Sequence, residues 1–552
     1  MKKTGEFSLV AYYFSILAIS ALLFVPFLGH VHLFDWDEVN FAESAREMIA
    51  KRDYLTVQIN FIPFQEKPPL FIWMQVLSMK AFGINEFAAR FPNAVCGILT
   101  LMLLFNIGEK LIDKKFGLTW VILYGGSILP FLYFKSGIID PWFNLFIFLG
   151  IYRFYLFMLS GGGRILNLTG SAMFIGLAIL TKGPVALMVF MLTIGIYLII
   201  RRFRIKIGLA DIMIYLFVLI LVGGFWFILQ ILKGNFGVIA EFIDYQVRLF
   251  RTQGAGHGGF LLYHFVVLLI GVFPASFLAL PSLFGSKTES GPKKEFLVIM
   301  LILFWCVLIL FTIVKTKIVH YSSLCYFPLT FAAAWRICHP GSATVLLDKI
   351  TRGLVITTGF IIALAVAGLT WIDHYKHALI SRNLFRDPFA VDCLTSDAGW
   401  KGYESLAALV ILTGLIGFAV FWDKHRYKAV YILTVLISVF MFLAMYLITP
   451  HIDFYSQRPA IEFFRSVSGQ DAYLMTLGYK SYAQLFYGKA KDHPNPLYRD
   501  EKWLLSGEID KPVLIAAKAF RKEDYLAQYP DIVFLYERNG FVFFKRTPNT
   551  VP

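Results

Sequence analysis

The chain has 552 residues, of which 58% are hydrophobic, 17% aromatic and only 16% charged, with a mean hydropathy of +0.66. A soluble chain carries charge on about a quarter of its residues, so this composition excludes a soluble globular protein and reads as a polytopic membrane protein. The formal charge of +15 does not signal nucleic acid, because the basic residues sit in short clusters between apolar runs, as the positive-inside rule requires of cytoplasmic loops.

The first apolar run covers residues 7–29. It is long and has no A-x-A-like cleavage site, so it reads as a retained span and not as a signal peptide. Directly after it, DWDEVNFAESAREM (residues 35–48) places Asp35, Asp37 and Glu38 within four positions. Asp35 and Glu38 have the spacing of a helix N-terminal box, with Phe41, Ala45 and Met48 on one face behind it. An acid-capped amphipathic helix at the membrane interface explains those two carboxylates and leaves Asp37 spare. In FQEKPPLFIW (residues 64–73), Pro68 and Pro69 suit the first turn of a helix re-entering the membrane. Glu66 and Lys67 stand just before it, and the plain reading is a surface ion pair.

Further apolar runs follow at residues 95–107, 138–159, 165–179, 185–200, 212–232, 260–283, 296–314, 354–371, 405–422 and 429–448. A helix of about 20 residues crosses the hydrocarbon core. The basic clusters between the runs, among them RRFRIK at residues 201–206, put the N-terminus inside, about thirteen helices across and the C-terminus outside. The predicted outer segments are then 35–67, 135–140, 233–259, 315–321 and the tail after 449. Lys67, Arg248, Arg251, Lys315 and Lys317 fall on that side against the charge trend, where an anionic lipid phosphate would need them.

Asp140, in KSGIIDPWFN, stands at the mouth of a span. A rim carboxylate is a functional candidate by default, although Asp before Pro is also an ordinary helix start. IDYQVRLFRTQGAGHGG carries Asp244, Arg248, Arg251 and His257 before a glycine-rich stretch, and a lone His is more often structural than a ligand. KTKIVHYSSLCYFPL (residues 315–329) sets Lys315, Lys317, His320 and Tyr321 at the outer end of a helix. Cys96, Cys306, Cys325, Cys338 and Cys393 form no metal spacing, and only Cys393 lies in a predicted outer loop, so no disulfide framework is expected. The sequon at Asn167 falls near the predicted cytoplasmic face.

From about residue 451 the apolar runs shorten. Residues 531–546 form two β-rich halves around Arg538-Asn539-Gly540, a type I′ hairpin signal. Residues 456–466 and 480–487 read as helices. The expected fold class is mainly α: a transmembrane domain over residues 1–450, with outer juxtamembrane helices at about 30–70, and a small extracytoplasmic α/β domain over 451–552. No repeat of 20–50 residues is present.

Taken together, DWDEVNFAESAREM, FQEKPPLFIWMQVLSMKAFGINEFAARFP, LTKGPVAL and KTKIVHYSSLCYFPL resemble the aminoarabinose-transferase and protein-mannosyltransferase-like branch of the GT-C glycosyltransferases, from about residue 10 to 450. Each piece is weak alone; the set in this order is specific. Members often read Asp-Glu-Ala-Arg-Tyr where this chain has Asp37-Glu38-Val39-Asn40-Phe41. They also often have His-x-Arg and an aromatic Phe-Trp-Tyr-Tyr run where this chain has His257-Gly258-Gly259 and Phe260-Leu261-Leu262-Tyr263.

The resemblance implies an enzyme of the bacterial cytoplasmic membrane, monomeric and without a nucleic-acid partner. It would move a sugar, such as 4-amino-4-deoxy-L-arabinose or a related pentose or hexose, from a polyprenyl-phosphate donor. The acceptor would be lipid A, another glycolipid or a protein, at the outer face. It implies Asp37 and Asp140 as catalytic residues. Glu38, Lys67, Arg248, Arg251, Lys315, Lys317, His320 and Tyr321 would bind substrate. It also implies a cavity shared by Glu66 and His257, which could hold a divalent metal, zinc or less well manganese. Two protein ligands make a thin metal site. A hydroxyl acceptor would need Asp37 as general base; a phosphate acceptor would need no base, and Asp37 would orient the donor sugar. Two rival classes share features with this reading. A lipid carrier without chemistry would have the spans and the basic lipid site, but would not need Asp37 and Asp140 to face one cavity. A sensor anchored by its spans would not need so many.

Overall fold

The computed structural model describes residues 8–64, 66–159, 163–204, 207–251, 259–283, 292–339 and 344–548. The helical part begins with α1 (Leu9–Phe24), α2 (Asp37–Lys51), the short hairpin β1 (Gln58–Ile59) and β2 (Ile62–Pro63), α3 (Leu70–Phe82) and α4 (Glu86–Leu111). It continues with α5 (Lys114–Gly125), α6 (Ile128–Tyr133), α7 (Asp140–Met158), α8 (Arg164–Lys182), α9 (Val185–Ile200), α10 (Leu209–Gly223), α11 (Phe225–Leu232) and α12 (Phe236–Arg251). Then come α13 (Tyr263–Gly271), α14 (Ala275–Leu283), α15 (Pro292–Ile313), a 3-10 turn (Val319–Cys325), α16 (Tyr326–Cys338), α17 (Val345–Ser381), α18 (Pro388–Thr395), α19 (Leu406–Phe421) and α20 (Arg426–Leu447). The tail holds α21 (Thr449–Phe454), α22 (Arg458–Ser466), β3 (Tyr473–Leu477), α23 (Ala483–Tyr487), α24 (Glu501–Ser506), β4 (Val513–Lys518), α25 (Lys522–Gln528), β5 (Ile532–Arg538) and β6 (Phe541–Arg546).

Short polar residues set several helix starts. The side chains of Ser8, Asn85, Asp113 and Thr344 accept the N–H three residues on and begin α1, α4, α5 and α17. Among the described residues, seven helices are long and apolar enough to cross a bilayer, or eight if α10 and α11, bent by 61°, form one span. The count of about thirteen continuous spans is not reproduced. The run at 260–283 is split into α13 and α14 around Pro274, and α1 and α9 have only 16 residues each.

Interhelical polar contacts fix the end of the bundle where α2 and α3 lie. Arg90 of α4 pairs with Glu38 of α2 through two bonds, Nε to Oε1 at 3.0 Å and Nη2 to Oε2 at 2.7 Å. The same guanidinium donates to the carbonyls of Leu28, Val31 and His32. Glu38 also accepts from the backbone N–H of Phe34 (2.8 Å) and of Gly137. One buried pair therefore ties together the chain after α1, the start of α2, α4 and the loop before α7. Asn93 of α4 donates to the carbonyls of Ser136 and Ile138, both at 2.6 Å, and Lys135 donates to the last carbonyls of α1. That loop is therefore held on three sides.

α2 does not present the solvated polar face expected from its sequence. Residues 38–48 are all buried. Glu43 pairs with Arg46 at 2.6 Å, and Glu47 accepts from the Phe61 N–H at 2.8 Å. Burial, reinforced by the neighbouring Glu43, raises the Glu47 carboxyl well above the usual carboxylate range.

The tail builds the expected small α/β unit. Its sheet has the order β3-β4-β6-β5, with β3 and β4 parallel and the other pairs antiparallel. The turn joining β5 to β6 has Asn539 at φ 47° and Gly540 at φ 76°, as a type I′ hairpin needs. Strand alternation gives the sheet two faces. Val513, Ile515, Val542 and Phe544 close a core of the tail's own. Leu514, Ala516, Phe541 and Phe543 instead share a cluster with Ile461 and Phe464 of α22, Val39 and Phe41 of α2, and Phe71 of α3. One face of the sheet is thus completed by the segment that follows α1.

Removing one partner of a buried ion pair strands the other charge and costs about 3–5 kcal/mol. Arg90→Ala is expected to lower the thermal unfolding midpoint of detergent-solubilised protein sharply. An unchanged midpoint would deny this pair its central role.

Candidate active site

Asp37 is the first residue of α2 and its side chain is 42% exposed. The helix start differs from the expected capping box. Trp36 before it has φ 72° and ψ −110°, and no side chain caps the helix. The Asp35 carboxylate accepts from the Trp36 N–H and Glu38 accepts from Phe34, both ahead of the helix. A positive φ at a bulky residue is a strained conformation, and here it adjoins an exposed carboxylate.

Three further elements converge on Asp37. Asp140 is held at the start of α7 by the pinned loop. The 3-10 turn brings His320 between the two acids, its Nε2 at 3.5 Å from Asp37 Oδ2 and 4.0 Å from Asp140 Oδ2. Lys182, at the end of α8, reaches Asp140 Oδ1 at 2.6 Å and lies 5.3 Å from the Tyr321 ring centroid. Gly183 ends α8 with φ 107°, and a β-carbon there would stand 3.0 Å from the Phe242 ring. Pro184 then leads into α9. The Lys-Gly-Pro break thus turns the chain sharply where Lys182 meets Asp140.

Glu66 and Lys67 face α12. Glu66 Oε2 accepts from the Tyr245 hydroxyl at 2.8 Å, Gln246 donates to the Glu66 carbonyl at 3.4 Å, and the Lys67 ammonium lies 5.3 Å from the Tyr245 ring centroid. Among the described residues Lys67 makes no ion pair within 4 Å. Burial pushes its ammonium below the usual lysine range, with Glu66 pulling the other way. A cation in that condition gains from an incoming anion. Burial likewise lowers the His320 imidazole, against the pull of Asp140. A narrow cleft opens here. Lys67, Asp140, Lys182 and Gln246 line one part of it, and Phe143, Val185, Val189, Phe311 and Val314 the rest.

The sequence expectations divide against this geometry. Asp37, Asp140, Lys67, Glu66, His320 and Tyr321 are brought together. Glu38 is not: it is 3% exposed, with both oxygens taken by Arg90 and backbone N–H groups. Lys317 is also withdrawn, its ammonium donating to the carbonyls of Phe311, Thr312 and Val314 at the end of α15. Lys315 is exposed and is not among the residues lining the cleft. Arg248 is exposed on α12, 5.6 Å from the Tyr245 ring centroid. His257 and the side chain of Arg251 lie outside the described residues. Of the expected metal pair only Glu66 is therefore described, and it already serves Tyr245. Among the described residues no three His, Cys, Asp or Glu side chains come together to hold a metal, and no step below runs through one. Sequence reasoning missed Lys182 as a site residue although LTKGPVAL was in view. It missed Tyr245 and Gln246 as well, which carry no signal beyond their place beside Arg248.

Residues 66–227 match the family described as dolichyl-phosphate-mannose-protein mannosyltransferase. Over 345 residues the chain is 25% identical to the undecaprenyl phosphate-alpha-4-amino-4-deoxy-L-arabinose arabinosyl transferase of Wigglesworthia glossinidia brevipalpis, covering 61% of this chain and 60% of that one. It is 26% identical over 374 residues to the protein of the same name from Pectobacterium carotovorum, covering 64% of each. The matched stretch thus spans less than two thirds of these relatives' length. Among solved structures, ArnT from Cupriavidus metallidurans bound to undecaprenyl phosphate superposes with a TM-score of 0.76 at 16% identity, over 98% of both chains. Its apo form gives 0.75. The fold is that of a polytopic GT-C membrane protein. The family match over residues 66–227 and the names of these relatives agree with that fold.

The lowered His320 imidazole has a consequence for stability. Between the ordinary imidazole pKa of about 6.5 and its lower native value, the unfolded chain binds more protons than the native one. Stability is therefore lost as pH falls below about 6.5. His320→Gln is expected to shrink the drop in unfolding midpoint between neutral and mildly acidic buffer; an equal drop in variant and parent would refute the burial argument.

Proposed function

We propose that the protein is an integral-membrane glycosyltransferase. It would move a sugar from a polyprenyl-phosphate donor to an envelope acceptor such as lipid A, at the outer face of the bacterial cytoplasmic membrane. The observation that carries this reading is Asp37 and Asp140 on either side of His320, with Asp140, Lys67 and Lys182 lining a cleft whose remaining wall is mostly apolar. A phosphate needs the cations and a prenyl chain needs the apolar wall.

The wall continues along the same two helices. After Val185 and Val189, Leu192 and Ile196 of α9 face Leu301, Trp305, Ile309 and Ile313 of α15 across a second apolar cleft of about 1240 Å³. The i, i+4, i+7, i+11 spacing on α9 keeps these side chains on one face. A prenyl tail leaving the ionic end would run down this seam. The two relatives described above, both undecaprenyl phosphate-aminoarabinose transferases, agree with such a donor and favour an amino sugar.

In the reaction, the bond between the anomeric carbon and the phosphate oxygen breaks, and its electron pair goes to the phosphate. Lys67, which has no ion pair within 4 Å among the described residues, takes that charge; Lys182 is already partnered by Asp140 and adds less. A cation placed where charge develops supplies a large share of the rate. Asp37 and Asp140 stabilise the positive charge building on the sugar, as carboxylates do in glycoside hydrolysis. A hydroxyl acceptor forms the new bond to the anomeric carbon and passes its proton to Asp37, the more exposed of the two acids. A phosphate acceptor arrives without a proton to lose, and Asp37 then orients the donor. A carrier without chemistry has no use for two acids around one histidine.

The test is purified protein with a polyprenyl-phosphate sugar, scored for free polyprenyl phosphate and glycosylated acceptor. If no free polyprenyl phosphate forms in the presence of a competent acceptor, the enzyme reading fails. Asp37→Asn is expected to lower turnover by about 10²–10⁴-fold while donor binding and unfolding midpoint stay near the parent's. Lys67→Ala should weaken donor binding by about ten- to a hundredfold, the worth of a hydrogen bond to a charged group. Lys67→Arg should recover part of it. Unchanged donor affinity in Lys67→Ala would move the phosphate elsewhere.

A further inference from the structure

We propose a second ligand site, on the open edge of the tail sheet, that takes the glycan portion of the acceptor. Its role as an acceptor subsite rests on the transferase reading above; its capacity to bind a glycan does not.

A cleft of about 710 Å³ lies along β3, the edge strand of the sheet. The Tyr473 N–H donates to the Pro512 carbonyl on the β4 side. By alternation, Leu474 and Thr476 turn their N–H and C=O groups to the open edge, where no strand pairs with them. The carboxamide oxygens of Gln484 and Asn60, both on residues lining the cleft, are buried without a hydrogen-bond partner among the described residues. Orphaned buried polar atoms call for an explanation. Lys491 and Arg499 add positive charge to the lining and Glu501 one negative charge, and Arg499 is anchored by its bonds to the Asn60 carbonyl (2.9 Å) and Asp492 (2.9 Å).

The lining therefore offers donors and acceptors in one polar space, with cations at hand. Sugar hydroxyls, which donate and accept, satisfy both, and a phosphate or carboxylate on the glycan meets the cations. An extended peptide fits less well, because β3 is only five residues long and α23 and the 490–499 loop crowd its edge.

Placement links this cleft to the candidate active site. Arg46 Nη2 donates to the Ala490 carbonyl at 2.9 Å, and Lys51 pairs with Asp492 at 2.9 Å. Both belong to α2, which carries Asp37 at its other end, so Arg46 stands about 14 Å of helix away from Asp37. Asn60 sits at the tip of the β1–β2 hairpin, and the chain from there runs directly to Glu66 and Lys67. A glycan held at β3 would thus be one helix segment from the reacting centre, the reach of an acceptor larger than a single sugar.

The experiment is calorimetric titration of the full-length protein in detergent with a soluble, phosphorylated glucosamine disaccharide. Saturable binding is expected, about tenfold weaker in Gln484→Leu and in the rim variant Lys491→Glu, and unchanged in Lys67→Ala. In the transfer assay, Lys491→Glu should raise the acceptor KM and leave donor affinity alone. No saturable binding by the parent protein, binding unaffected by both variants, or uptake of an unstructured peptide in place of the disaccharide would overturn the site. If the parent binds the disaccharide through these residues yet transfers no sugar, the glycan site stands and the transferase reading falls. If it transfers sugar with an acceptor KM unmoved by Lys491→Glu, the reverse holds.

Discussion

The Glu38–Arg90 pair is the constraint on which the candidate site depends. It lies among the chain after α1, the first turn of α2, the body of α4 and the loop ahead of α7, and it bonds to all four. Asp37 is the next residue along from one end of this knot, and Asp140 lies three residues beyond Gly137 at another. Two acids a hundred positions apart in sequence are thereby brought to one histidine without either of them being fixed by its own hydrogen bonds to backbone. A buried pair of this kind contributes little net stability. Its contribution is register, because a guanidinium with five donors in a rigid fork accepts only one arrangement of partners.

The ionic groups of the site differ in how far they are committed. Lys182 is paired with Asp140, Glu66 with Tyr245, and Lys317 with carbonyls of its own helix end. Lys67 stands over a tyrosine ring, and Asp37 lies beside the His320 imidazole, whose pKa burial lowers. Among the described residues of the site, these two are the cation and the carboxylate least committed to partners.

Much of this was legible in the sequence, and the failures have physical reasons. The membrane class, the type I′ hairpin at Asn539-Gly540 and the convergence of Asp37, Asp140, Lys67 and His320 follow from composition, turn chemistry and motif order. About thirteen spans are not confirmed as full-length helices among the described residues, because broken pairs such as α13 and α14 keep one continuous hydropathy signal. α2 looked interfacial because its polar face resembles a solvated one; its acids are in fact buried against Arg46, Arg90 and the Phe61 backbone. Glu38 and Lys317 were taken for ligands because a charge near a membrane edge reads the same whether it faces substrate or a helix end. Lys182 was overlooked because its partner is 42 residues away, and pairings of that kind leave no trace in local spacing.

The backbone at Trp36 gives the tail a meaning that neither a ligand nor a core requires. A tryptophan at φ 72° returns to a relaxed conformation unless its neighbours prevent it. Those neighbours come largely from beyond residue 450. Gln457 accepts from the Asp35 N–H and donates to the Leu33 carbonyl, and the Tyr487 hydroxyl accepts from the Leu33 N–H. The tail thus works as a clamp on a cocked loop, storing strain one residue away from an exposed acid. A chain built this way cannot treat its last hundred residues as an accessory, because the shape of the loop beside Asp37 is held from there.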